Sequence, residues 1–175
     1  MCTLYFNSVN INTYENTVPP LSLFLFQIQT IEDNAFYGLR YLNRLNLVAN
    51  QIDTITNQTF ADLPNLRNLR LDVNRISSIE SGALAAVPAL RGLWLNSNHM
   101  STLVPEVLAD DNIPSLCELH IKSNPWQCDC HLRWLRQKIA NASFSVPNMR
   151  LIVCAGPPQV AGKSWAQLQP SDFVC

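Results

Sequence analysis

Residues 66–76 read LRNLRLDVNRI, and the chain repeats the phrase on both sides: LNRLNLVANQI at 42–52, LRGLWLNSNHM at 90–100 and LCELHIKSNPW at 116–126. All four fit L-x-x-L-x-L-x-x-N-x-L, with Pro125-Trp126 altering the end of the last, and their starts lie 24, 24 and 26 residues apart. One period earlier, VPPLSLFLFQI (18–28) keeps the apolar positions and puts Phe26 where the others have asparagine. The stretches between repeat as well. Ile31, Ile55 and Ile79 are followed by Phe36, Phe60 and Leu84, then by Leu39, Leu63 and Val87. Agreement at so many positions marks a stacked array of similar units. The last unit carries two extra residues around Asp110-Asp111, in a loop just before its strand.

The physics of the template predicts the architecture. In L-x-x-L-x-L the second and third leucines point to one face of a short strand while their neighbours point to the other. No unit can bury its leucines alone, so the units stack and form a parallel sheet along one wall. The column begun by Phe36 and Phe60 widens the opposite wall and bends the stack. Asn50, Asn74, Asn98 and Asn124 recur where the chain leaves the strand. A buried amide there satisfies backbone groups that the bend would otherwise leave unpaired, at a cost of about 1–3 kcal/mol each.

Residues 18–126 resemble the leucine-rich repeat family. The resemblance implies an α/β solenoid: a right-handed arc of about five coils over 18–123, with a parallel concave β-sheet and short helical or irregular convex segments. Residues 124–175 follow where a solenoid needs a cap. They resemble the cysteine-containing C-terminal cap of extracellular leucine-rich repeat proteins, from NPWQCDCHLRWL (124–135) through Cys154 and Pro157 to Phe173-Val-Cys175. That resemblance implies disulfides Cys128–Cys154 and Cys130–Cys175, whereas four cysteines alone leave three pairings open. Zinc is the competing reading, because His131 follows Cys130; the C-x2-C and C-x4-C spacings of common zinc sites are missing. Trp126, Leu132, Trp134 and Leu135 are expected in the cap core, the last three on a short helix with Arg133, Arg136 and Lys138 turned to solvent.

At the other end, residues 1–17 are read as a partial N-terminal cap, with Cys2 at roughly the distance from the first repeat where the family places its last cap cysteine. Cys117 is expected as a small, semi-buried residue at a strand edge. The start, MCTLYFNSVN, lacks the basic and apolar regions of a signal peptide. Leu21–Phe26 is the longest apolar run and is too short to span a bilayer. Six cysteines point to an oxidising, extracellular setting. Asn57-Gln-Thr59 and Asn141-Ala-Ser143 are glycosylation triplets.

Composition narrows the function classes. The net charge is −1 and 14% of residues are charged, which offers no broad footprint for nucleic acid or an anionic membrane. G-x-S-x-G, H-E-x-x-H and a phosphate-binding glycine loop are all missing, and His99, His120 and His131 fall in a turn, on the sheet and in the cap. We therefore expect no enzyme, no cofactor and no metal.

Function is expected at the outward positions of the strands: Pro20, Ser22 and Phe24; Arg44, Asn46 and Val48; Asn68, Arg70 and Asp72; Gly92, Trp94 and Asn96; Glu118, His120 and Lys122. Trp94 leads the candidates, ringed by Arg44, Arg70, Asp72, Asn96, Glu118 and His120, with packing of Trp94 against Arg70 or His120 as its structural alternative. Asp72 and Glu118, with Asp110 and Asp111 at the rim, suggest a preference for cationic groups on a ligand. The capped short array resembles variable lymphocyte receptors and pattern-recognition ectodomains, which implies an immune module for microbial surface glycans or protein antigens. It lacks the long insert that several lymphocyte receptors carry in the C-terminal cap. The alternative is a domain for adhesion, matrix or development that binds a host cell-surface or matrix protein.

Overall fold

The structure, a computed structural model, describes residues 20–175. The partial cap assigned to 1–17 and the reading of Cys2 lie outside the described residues. Five short strands, β1 (Leu21–Ser22), β2 (Arg44–Asn46), β4 (Asn68–Arg70), β6 (Gly92–Trp94) and β7 (Glu118–His120), form one parallel sheet in that order. Between them, β3 (Thr54–Ile55) and β5 (Ser78–Ile79) pair in parallel on the outer turn of the coils. The leucine spacing decides the register. Leu21, Leu45, Leu69, Leu93 and Leu119 are successive partners across the sheet, and the last four are buried.

Each coil turns out of the sheet through one left-handed residue: Ala49, Val73, Ser97 and Ser123 all have φ between 55° and 57°. A non-glycine residue is strained there, and the asparagine that follows holds the turn. Asn74 donates from Nδ2 to the carbonyls of Leu47 (2.9 Å) and Leu71 (3.1 Å), while its Oδ1 accepts the Ile52 N–H at 3.1 Å. Asn50, Asn98 and Asn124 repeat this pattern one coil away in each case. Every ladder amide therefore joins two coils as well as closing its own turn. The first coil keeps the left-handed turn at Leu25 but has Phe26 in place of the amide, and Phe26 lies exposed.

On the convex side Phe36 and Phe60 stack with centroids 6.3 Å apart. This side is built from turns, the β3–β5 pair and a short 3-10 helix at Pro105–Leu108; the one α-helix among the described residues, α1 (Arg133–Asn141), belongs to the cap.

The cap closes the open end of the stack. β8 (Trp126–Gln127) pairs with β9 (Cys154–Gly156). Trp126, Trp165 and Phe173 pack in succession with centroids 5.8 Å apart at each step, and all three are buried. Cys128 is bonded to Cys154 and Cys130 to Cys175, the pairs the resemblance implied. Trp134 donates from Nε1 to the Leu103 carbonyl and so ties α1 to the last coil.

Two expectations about the cap need correction. Leu132 precedes α1 rather than lying on it. Arg133 and Arg136 are also not turned to solvent: Arg133 donates to the Phe173 carbonyl and Arg136 to that of Leu168, so both latch the C-terminal segment onto α1. Lys138 pairs with Asp110 in the preceding loop.

Candidate functional site

The strands place three columns of side chains on the concave face. In the middle column Arg70, Trp94 and His120 are register partners on β4, β6 and β7. The Arg70 guanidinium carbon lies 6.0 Å from the Trp94 ring centroid. On the other side the His120 imidazole stacks on Trp94 at 5.2 Å and 19°. The indole is thus held between a cation and an imidazole, and it is half-buried rather than freely exposed. Such stacks contribute about 0.5–1.5 kcal/mol beyond the area they bury.

Gly92 makes the seat for this stack. It counts as an outward position, yet it is buried, because the Trp94 ring leans back along β6 over it. A Cβ at residue 92 would lie 2.2 Å from the indole Cη2 and 2.4 Å from Cζ3. Periodicity alone gave no sign of this. A glycine two residues before an outward-facing tryptophan on one strand was the available signal.

The third column is a hydrogen-bonded row. Asp72 accepts from Asn96 Nδ2 at 2.7 Å and from Arg70 Nε at 3.3 Å, and Asn96 Oδ1 accepts the Lys122 N–H at 3.0 Å. Asp72 is only 6% exposed. It is therefore not a free carboxylate facing a ligand, and its contribution is to hold Arg70 and Asn96 in place. Glu118 Oε2 lies 3.2 Å from His120 Nε2, and Asp110 is paired with Lys138. Three of the four carboxylates behind the cationic-ligand expectation are thus already engaged within the protein.

Arg44 stands exposed on β2 with no ion-pair partner among the described residues. At the flank, Arg40 donates from Nε to Asp62 Oδ2 at 2.9 Å. That hydrogen bond holds the Asp62 carboxyl below its ordinary range, and the Gly38 N–H works in the same direction.

Cys117 is exposed rather than semi-buried, immediately before β7, and is the free cysteine among the described residues. Cys130, His131 and Cys175 bring potential metal-binding atoms together. Both sulfurs are spent in the disulfide and so are not thiolate donors. Asn57 and Asn141 are both exposed; Thr59 of the first triplet is buried, whereas Ser143 of the second is open.

A stacked parallel sheet, an asparagine ladder and a disulfide-locked cap define a capped repeat solenoid. Residues 26–76 and 64–125 match the leucine rich repeat family and residues 151–175 its C-terminal domain; the chain belongs to that family. It is 38% identical over 68 residues to mouse reticulon-4 receptor-like 2, a match covering 39% of this chain and 15% of that protein. Over 73 residues it is 29% identical to mouse immunoglobulin superfamily member 10, covering 37% of this chain and 3% of the relative. The crystal structure of human 5T4 (Wnt-activated inhibitory factor 1, trophoblast glycoprotein) superposes with a TM-score of 0.67 at 26% identity, covering 81% of this chain and 52% of that one. The matched stretch is thus a small part of either curated relative and about half of the solved one.

Proposed function

We propose that this domain is an extracellular recognition module that binds a host cell-surface or matrix protein reversibly through its concave sheet, without a chemical step or a cofactor. The observation that carries the reading is the Arg70–Trp94–His120 stack seated on Gly92. Tryptophan and arginine dominate interface hot spots. Here their rotamers are already restrained by mutual packing and by the Asp72–Asn96 row, so a ligand need not immobilise them on binding.

Five strands about 4.8 Å apart offer a wall roughly 20 Å across, the scale of a protein epitope. The two disulfides fit an oxidising compartment. The printed names of the relatives include a receptor-like protein and a glycoprotein, and none refers to microbes or antigen. Adhesion or developmental binding therefore takes precedence over the immune reading.

The test is binding of the oxidised domain to a panel of host cells and whole microbes, with Trp94→Ala beside the native chain. Binding to host cells that weakens by about 1–3 kcal/mol in the variant supports the proposal. Selective binding to microbes would restore the immune reading, and host binding indifferent to Trp94 would place the site off the Trp94 stack.

A further inference from the structure

The two cap disulfides differ in what surrounds them. Cys128 and Cys154 are both buried, and Trp165 lies against their bond with Nε1 3.2 Å from Cys128 Sγ. Cys130 is half-buried and Cys175 is exposed. Thiol–disulfide exchange requires a thiolate to reach one of the two sulfurs, so access sorts disulfides into inert and labile ones. An attacker meets Cys175 at the surface, whereas Cys128–Cys154 stays closed to it until the cap unfolds.

The neighbours of the accessible bond suit a leaving thiolate. His131 is itself exposed, and its Nδ1 lies 3.9 Å from Cys130 Sγ and 3.9 Å from Cys175 Sγ. Asp129 steadies the residue: its Oδ1 accepts the His131 backbone N–H at 2.9 Å and lies 3.3 Å from Nδ1. A thiolate released beside this ring gains an N–H donor, and hydrogen bonds to ionised groups are the strong ones. Cys130 also stands just ahead of α1, and the positive end of a helix favours a thiolate near it. Of the two sulfurs, Cys175 is the more accessible target and Cys130 the better leaving group.

We infer that Cys130–Cys175 is a thiol-exchange site that takes a low-molecular-mass thiol as its substrate. The electron pair of the attacking thiolate forms a new S–S bond to Cys175 Sγ. The Cys130–Cys175 bond breaks, and its electron pair leaves on Cys130 Sγ beside His131. The products are a mixed disulfide at Cys175 and one thiolate at Cys130, with no net oxidation or reduction. Residues 168–175 then lose their covalent tether and are held by the buried Phe173 and the Arg133 and Arg136 latches alone. The step needs a thiolate rather than a reducing compartment, so it is compatible with the oxidising setting that the disulfides indicate. It is independent of the Trp94 stack.

The experiment incubates the folded, oxidised chain with glutathione, quenches at early times with an alkylating agent and maps the products by mass spectrometry. The expected result is glutathione on Cys175 and alkylation at Cys130, with Cys128–Cys154 intact. Cys117, already free, alkylates in the untreated control and is told apart by its peptide. His131→Phe should exchange about tenfold more slowly at the same pH, the scale of one hydrogen bond to an ionised group. His131→Gln keeps an N–H donor and should recover part of that rate; native melting temperatures show that both variants are folded. The product map of the native chain decides even where a variant fails to fold. Equal or faster opening of Cys128–Cys154, glutathione on Cys130 with Cys175 released, no adduct at either cysteine, or an unchanged rate in folded His131→Phe would overturn the assignment.

Discussion

Gly92 and Trp94 show how one missing Cβ shapes the concave face. The indole occupies the space that a residue-92 side chain would fill, and only there does it lie between Arg70 and His120. Gly92→Ala is therefore expected to push the ring out of the stack, costing about 1 kcal/mol of stability through the lost ring contact. It should weaken binding of a concave-face ligand as much as Trp94→Ala does. Thermal unfolding and a binding titration on the same samples check this, and unchanged affinity would show that the stack is not the recognition element. Asp72 carries a related lesson. The outward position was legible in its strand, but its 6% exposure depends on Arg70 in the same coil and Asn96 in the next.

A coil of 24 residues is the element that repeats, and its asparagine is the joint. Asn74 satisfies the Ile52 N–H and the Leu47 and Leu71 carbonyls together, all within the buried wall. Asn74→Ala leaves one donor and two acceptors without partners and should destabilise the domain by about 3 kcal/mol, the low end of roughly 1–3 kcal/mol for each orphaned group. Urea denaturation measures it; a loss below about 1 kcal/mol would mean that water replaces the amide. The role of these asparagines was legible because it follows from local geometry: every coil must turn after its strand. The roles of Arg133 and Arg136 were not legible in the same way. Helical periodicity turns both away from the buried Leu135, but the C-terminal segment folds back over that side of α1 and offers them the Phe173 and Leu168 carbonyls.

For the whole molecule the question is how an open-ended stack is closed. The Cys128–Cys154 bond spans 26 residues and Cys130–Cys175 spans 45. By loop-closure entropy they stabilise the cap by about 3.5 and about 4 kcal/mol respectively. Replacing Cys130 and Cys175 together by serine should lower stability by up to that second amount and free the C-terminal segment that carries Arg133's acceptor. Unfolding that begins in the cap, followed by hydrogen exchange, is the expected signature, and protection that stays uniform across the cap would contradict it. In a solenoid each coil contacts mainly its neighbours, so loss of the cap exposes the last coil first.

The amino-acid sequence alone determined the period, the inward leucines, the register they impose, the asparagine ladder and, through family resemblance, the disulfide pairing. These features follow from short-range spacing, and a fixed repeat carries short-range spacing unchanged from coil to coil. Only the tertiary structure decided that Asp72 is buried, that Cys117 is exposed and that Gly92 seats Trp94. The Asp72–Asn96 bond and the Trp94–His120 stack that hold this face depend on which side chains lie next to one another across coils, some 24 to 26 residues apart in the chain. Stacking brings those residues within about 5 Å, and their sizes and charges, rather than their spacing, then determine which are covered and which remain open to a partner.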